Sequence, residues 1–343
     1  EFVSTSPVRR FIINNLSNHQ KDIIRMVVRN FGLSRQAALR HMYILITEGK
    51  VTATGKTKDR SYQLKPLVEK TSSFSITEQL KEDQLFQEKL SPYLNNLKPE
   101  IREICEFGFS QVMNNVISHS KGKTCEVQIL KNEGNFSFTI IDDGIGVFSK
   151  VTEYFSLEND RHAILELSKG KMTTDMARHT GDGLFFVSRL FDRFTLESSG
   201  LAWSHDLKNE EWSVTEVKEK KGTSIFLEIN SLSNRSLKKI MEEYSTNGGM
   251  IFNRTCVPVI LSRLDSDNLF SRSQARRLTQ NLEDYKNICF DFAGLDTVSR
   301  SFADEVFRVY QQKEPHQILE WKNSNIELKE LFTDIQKNGK SLD

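Results

Sequence analysis

FSFTIIDDGIG, residues 136–146, decides how the middle of this 343-residue chain is read. Phe136 to Ile141 is largely apolar and rich in aromatic and β-branched residues, and it runs into two aspartates, which predicts a buried strand ending in an acidic turn. Gly144 and Gly146 give that turn the backbone freedom to pass close beneath a planar ligand. A lone Asp-Gly turn between strands is common, so the weight comes from its neighbours. Gln111-x-x-x-Asn115-x-x-x-His119 precedes it, Gly181-Asp182-Gly183-Leu184 follows it, and Lys221-Gly222-Thr223 opens a further strand, SIFLEI.

The upstream piece lies in PEIREICEFGFSQVMNNVISHS, where Pro99 suits a first helical turn. Ile101, Ile104, Cys105, Val112, Met113, Val116 and Ile117 recur at near-helical spacing, which places Gln111, Asn115 and His119 on one polar stripe. Downstream, FFVSRLFDRF predicts a helix directly after Gly181–Leu184, so the free N–H groups at its start suit an anion.

These four pieces, in this order, resemble the GHKL superfamily, the ATP-binding domain of gyrase-type ATPases, histidine kinases and anti-sigma-factor serine kinases. The resemblance covers roughly residues 80 to 230 and implies a Bergerat-type α/β sandwich that binds ATP and Mg2+. It implies that Asp142 accepts a hydrogen bond from the adenine amino group, a role that suits a carboxylate. Asn115 is the expected Mg2+ ligand, its amide oxygen sharing a hard cation with phosphate and water. Gly144, Gly146, Gly181, Gly183, Leu184 and Thr223 complete the expected ATP-binding set. Residues 147–180 are similar to the mobile lid of this superfamily, with Lys169, Lys171, Thr173, Thr174, Arg178 and His179 as its phosphate candidates. One position departs from the pattern. Where the hydrolysing and serine-kinase branches carry a Glu base, this chain has Gln111, and an amide takes no proton at neutral pH. Loss of a positioned base removes roughly 10²- to 10⁴-fold in rate, so binding with slow or absent hydrolysis is the expectation.

The chain length fits two or three domains. Residues 1–70 hold thirteen Lys or Arg against five Asp or Glu, whereas the whole chain is only +1, so the remainder is mildly acidic. A basic module on an acidic body points to a polyanion partner at the N-terminal end. Cys105, Cys125, Cys256 and Cys289 show no Cys-x-x-Cys spacing, which argues for reduced thiols in a cytoplasmic protein. No apolar run approaches the ~18 residues of a membrane span, so no membrane partner is expected.

PVRRFIINNL and KDIIRMVVRNFG read as amphipathic helices, and Ser34 caps a third, SRQAALRHMYILITEG, which stops at Gly49. VTATG and RSYQL flank the basic tip Lys56–Arg60 as a hairpin would. This order resembles the winged helix-turn-helix family, which reads double-stranded DNA with the helix after the turn. The resemblance implies base or phosphate contacts from Ser34, Arg35, Gln36 and Arg40, and backbone contacts from Lys56, Lys58 and Arg60. Ala37, Leu39, Met42, Leu45 and Ile46 are expected to face the core. A winged helix kept for protein contact is the plainer alternative.

Beyond a polar linker near Ser231–Ser236, CVPVIL, NICFDFAG and HQILEWK read as strands that alternate with the helix-like SRSQARRLTQNLEDY, SFADEVFRVYQQ and ELKELFTDI. The alternation is similar to a STAS-type domain, whose phospho-acceptor serine corresponds to Ser301, with Ser299 beside it. Ser299-Arg300-Ser301-Phe302 departs from that family's Asp-Ser-Ser-Gly, and a serine at a helix start is commonly just a cap.

The expected organisation is therefore an α/β multidomain chain. A winged helix occupies residues 1–70, a helical linker 71–95, a GHKL domain 96–232 and a small STAS-like α/β domain 245–340. The expected function is an ATP-binding, DNA-binding transcriptional regulator, dimeric on paired half-sites, with a regulatory protein as a further partner of the STAS-like domain. The alternative is a serine kinase acting on its own or a partner's STAS domain.

Overall fold

The structure, a computed structural model, describes residues 6–56, 59–171, 181–246, 251–263 and 271–339. It is a mixed α/β chain of several modules.

Helices α1 (Pro7–Asn15), α2 (Ile23–Phe31) and α3 (Arg35–Thr47) pack around Ile12, Ile23, Val27, Ala38, Met42 and Leu45. Gly32 ends α2 in the left-handed region that glycine adopts without penalty, and the Ser34 hydroxyl then accepts from Ala37 N at 3.2 Å to start α3. Strands β1 (Val51–Thr54) and β2 (Ser61–Leu64) pair antiparallel and send Val51 and Tyr62 into this core. One expected core position moves. Ala38 is buried and Leu39 is 37% exposed, because the buried stripe of α3 runs Ala38, Met42, Leu45 at helical spacing.

A seven-stranded antiparallel sheet forms the middle of the chain, in the order β3-β4-β5-β9-β6-β7-β8. Its strands are β3 (Val68–Ser75), β4 (Thr124–Lys131), β5 (Asn135–Asp142), β6 (Arg193–Ser198), β7 (Leu201–Asp206), β8 (Glu211–Glu216) and β9 (Thr223–Asn230). The expected helical linker over 71–95 is thus part strand, since β3 pairs with β4 along its whole length. A short α4 (Glu82–Leu85) follows it. Across the sheet lie α5 (Pro99–His119) and α8 (Gly183–Leu190), separated in sequence by α6 (Val147–Tyr154) and α7 (Asp160–Lys169). Gly108 permits the close approach, because a Cβ there would sit 2.5 Å from the Phe191 ring. The helix expected over FFVSRLFDRF ends at Leu190, and Arg193–Phe194 already belong to β6.

After α9 (Leu237–Tyr244) and the small hairpin β10 (Ser245–Thr246) with β11 (Ile251–Phe252), three parallel strands follow: β12 (Arg254–Pro258), β13 (Asn287–Asp291) and β14 (Ile318–Lys322). Parallel strands need crossovers. These are supplied by α10 (Arg272–Thr279) and by α11 (Arg300–Asp304), which runs on through a π turn into α12 (Gln311–Lys313). Phe290, Phe307, Trp321 and Phe332 of α13 (Ile326–Gly339) fill the helix-covered face. The alternation read from the sequence is the alternation found.

The middle and C-terminal modules share one continuous apolar core, and α7 is its joint. Residues expected to form a mobile lid are, through Lys169, two helices, and α7 is buried from His162 to Lys169. The Lys169 ammonium donates to Glu166 Oε1 at 2.6 Å, Arg277 O at 2.7 Å and Gln280 O at 2.8 Å. Burial pulls its pKa down while Glu166 pushes it back up. Residues 172–180, including Thr173, Thr174, Arg178 and His179, lie outside the described residues. Lys169→Met is expected to destabilise the chain by roughly 3–5 kcal/mol, the usual result of stranding one charge of a buried pair. Urea unfolding checks this, and Lys169→Met/Glu166→Leu should recover most of the loss. Unchanged stability in the single variant would restore Lys169 to the ligand-binding list.

Candidate functional site

A cavity of about 370 Å³ opens where α5, α6, α8 and the ends of β5 and β9 meet, within the roughly 300–1,000 Å³ range of small-molecule sites. Spacing by fours on α5 turns Gln111, Asn115 and His119 toward it. Asp142 ends β5 opposite Thr223, the first residue of β9, and both line the cavity. Gly146, Val147 and Lys150 come from the start of α6, and Gly181, Asp182, Gly183 and Leu184 from the start of α8. Val116, Ile140, Phe155, Leu167, Phe186 and Met241 form apolar wall.

Two glycines sit in close contact, and at the first the backbone dictates glycine. At Gly222, with φ +86°, a Cβ would lie 1.9 Å from the Asp142 carbonyl oxygen. At Gly183 a Cβ would lie 2.4 Å from Gln111 Oε1, so the start of α8 rests directly on that amide. Backbone N–H groups at a helix start carry the positive end of the peptide dipoles.

The Asp142 carboxylate is only 5% exposed. Burial pushes its pKa up, while backbone hydrogen bonds from Gly144, at 2.8 Å, and Thr223 oppose that rise. A carboxylate has about four acceptor positions, so these two donors leave capacity for an N–H from a ligand. Neighbouring Asp143 is used differently. Its carboxylate accepts from Lys123 N, Thr124 N and Thr124 Oγ1 at 2.7–2.9 Å, and these bonds hold its pKa at about 2.

The structure thus gathers Gln111, Asn115, Asp142, Gly146, Gly181, Gly183, Leu184 and Thr223 around one cavity. Gly144 stands behind it, bonded to Asp142. Lys169 and Lys171 are not among the lining residues. Lys171 donates to Asp284 O at 3.0 Å and sits 4.6 Å from the centre of the Tyr285 ring, so both lysines serve the junction with the C-terminal module. A cation the sequence reading missed takes a place there instead. Lys150 lines the cavity, and its ammonium donates to His119 O at 3.0 Å. Continuing a helix past Gly146 would have found it one turn on, because Lys150 N bonds to Gly146 O. Among the described residues no cluster of three or more His, Cys, Asp or Glu side chains could hold a metal. A Mg2+ beside Asn115 would therefore need oxygens from a ligand and water, as that ion commonly does.

On α3, Arg35, Gln36 and Arg40 are exposed together, with Lys56 and Arg60 exposed on the wing, while Lys58 lies outside the described residues. Ser34 is spent as the helix cap. Leu39, Tyr43 and Ile44 are also exposed on α3, so its outer face is amphipathic and not purely basic. In the C-terminal module, Ser299 caps α11 by accepting from Phe302 N at 3.1 Å and pairs with the Ser301 hydroxyl at 2.9 Å. The plain cap reading accounts for Ser299.

The Asp143 bonds predict a pH dependence. A carboxyl held below its ordinary value of about 3.9 stabilises the fold above that pH and loses the contribution as it is protonated. Asp143→Asn should lower the melting temperature at neutral pH, and the gap from wild type should close as pH falls from about 4 toward about 2. A gap independent of pH in thermal melts would refute this assignment.

Comparison with known families places one region. No curated protein matches the chain. Among the described residues no helix is long and apolar enough to cross a membrane. The family described as "STAS-like domain of unknown function (DUF4325)" matches residues 274–329, the stretch from α10 to the start of α13, so the C-terminal module is STAS-like.

Proposed function

We propose that the cavity takes ATP with Mg2+ in the manner of a GHKL domain, and that its occupancy regulates DNA binding by the N-terminal module. The observation that carries this reading is the convergence of Gln111, Asn115, Asp142, Gly183 and Thr223, drawn from four separate elements, on one cavity. Asp142 supplies a buried acceptor for the adenine amino group. Asn115 supplies the amide oxygen that shares Mg2+ with phosphate, and the start of α8 faces the phosphates with free N–H groups. Gln111 holds the place of a general base without the ability to take a proton, so the domain acts as a sensor of nucleotide with slow turnover. At the N-terminus, the exposed Arg35, Gln36 and Arg40 support a winged helix whose first turn enters the major groove. A protein partner at the STAS-like module and a homodimer on paired half-sites belong to the same reading.

Calorimetric titration of the full chain with Mg-ATP should give a saturable site. Asp142→Asn replaces an acceptor by a donor facing the adenine and should weaken binding by about 10- to 100-fold, the worth of roughly 1.5–3 kcal/mol for a hydrogen bond to a charged group. Gln111→Glu should raise hydrolysis by about 10²-fold or more. Affinity for duplex DNA, read by fluorescence anisotropy at fixed salt, should differ with and without Mg-ATP and fall in Arg35→Ala/Arg40→Ala. No binding of Mg-ATP would end the reading of the cavity. Equal DNA affinities with and without nucleotide would end the regulatory reading alone.

A further inference from the structure

Cys256 on β12 and Cys289 on β13 are paired residues of adjacent parallel strands, and they therefore project from the same face of the sheet. Neighbouring strands stand about 4.8 Å apart, inside the roughly 4.4–6.8 Å Cα separation that a disulfide bridges. Both cysteines are free, Cys256 buried and Cys289 partly exposed. Cys256 lines a second cavity of about 310 Å³, which opens between the middle and C-terminal modules and is walled by Arg189, Trp212, Tyr244, Asp291 and Lys322. Thus one cysteine of the pair belongs to the wall of this cavity. Two cations stand beside it.

We propose that Cys256 and Cys289 form a reversible dithiol/disulfide site, with Cys256 attacked first by a peroxide-class oxidant entering through this cavity and Cys289 resolving the product. Cys256 is in the cavity wall beside Arg189 and Lys322, two cations that favour its thiolate, whereas Cys289 is not among the residues that line this cavity. That asymmetry divides the labour. The thiolate is the nucleophile, and the protonated partner waits. In the first step the Cys256 thiolate attacks one peroxide oxygen, the O–O bond breaks, an S–O bond forms and hydroxide leaves, so sulfur is oxidised and peroxide reduced by two electrons. In the second, the Cys289 sulfur attacks the Cys256 sulfenic acid, the S–S bond forms, the S–O bond breaks, and hydroxide departs with the Cys289 proton as water. A dithiol reductant reverses the outcome by exchange. Cys105 and Cys125 are internal controls: neither lines this cavity or faces a second cysteine on a neighbouring strand, and burial pushes both pKa values up.

The full-length protein is treated with hydrogen peroxide, remaining thiols are alkylated, and peptides are mapped with and without dithiothreitol. The expected result is a Cys256–Cys289 linked peptide, loss of two of the four free thiols, and full recovery on reduction. Cys289→Ser should trap a dimedone adduct on Cys256, and Cys256→Ser should leave Cys289 unmodified. Three results overturn the proposal: both thiols still free at peroxide doses that oxidise free glutathione, Cys105 or Cys125 reacting as fast as Cys256, or crosslinks running between chains. Wild-type mapping decides the matter even where a serine variant fails to fold.

Discussion

The Arg189 guanidinium is buried inside the core and holds three elements at once. It donates to Phe185 O and Ser188 Oγ on its own helix α8, to Ser168 O on α7 at 2.9 Å and to Cys256 O on β12 at 2.8 Å, with its plane 3.7 Å from the Phe185 ring centre. Burying a cation carries a large desolvation cost. Only a complete set of acceptors makes it tolerable, and here the acceptors come from both modules. Arg189 stays charged even though burial lowers its pKa, because a guanidinium does not give up its proton in proteins. Separating the STAS-like module from the middle one would therefore strand that charge, as it would strand Lys169. These two cations add polar ties to the single apolar core that the middle and C-terminal modules share.

This construction ranks the routes by which the cavity could influence the rest of the chain. Helix α8 begins at the cavity with Gly183 and carries Arg189 near its other end, so one helix spans from site to junction. Leu167 lines the cavity, two residues before Lys169 docks on the loop after α10. The N-terminal module attaches elsewhere, through Asn135 Nδ2 to Ser17 Oγ and Leu67 N to Lys131 O, at the far ends of β4 and β5. Asp142 is seven steps along β5 from Asn135, roughly 24 Å at the rise of a strand. The STAS-like module is thus the nearer recipient of any change at the cavity. In the proposed regulator, a signal to the winged helix has to travel the length of the sheet or pass through a partner on the STAS-like module.

Legibility in the sequence followed the range of the interactions involved. The Asn115 stripe, the Asp142 turn, the Ser34 cap and the β-α alternation of the C-terminal module are local patterns, set within a few residues by helical or strand period, and all reappear as structure. Lys169 reads as a lid cation because a Glu–Lys pair three residues apart, here Glu166 and Lys169, occurs on solvated and buried helices alike. Glu166 is its partner inside the helix, and the other two are carbonyls 108 and 111 residues away. The same holds for β3, which reads as polar linker until β4 supplies its hydrogen-bond partners. Lys150 is hidden for the opposite reason: its signal is local, since residues with the length and charge of a lid contain α6, which brings Lys150 to the cavity.

Gln111 is the residue on which sensor and catalyst part, and its surroundings bear on why an amide is tolerated there. Its Oε1 lies under Gly183, at the start of α8, where a carboxylate would gain roughly 0.3–1 kcal/mol from the peptide dipoles. Stability alone would therefore favour Glu, so the amide is not imposed by the fold. A neutral side chain adds no second carboxylate to the one that Asp182 places at the positive end of α8, and an anionic ligand can then take up that interaction. In the proposed site, the substitution that removes the proton acceptor is also the one that leaves the helix start open to phosphate.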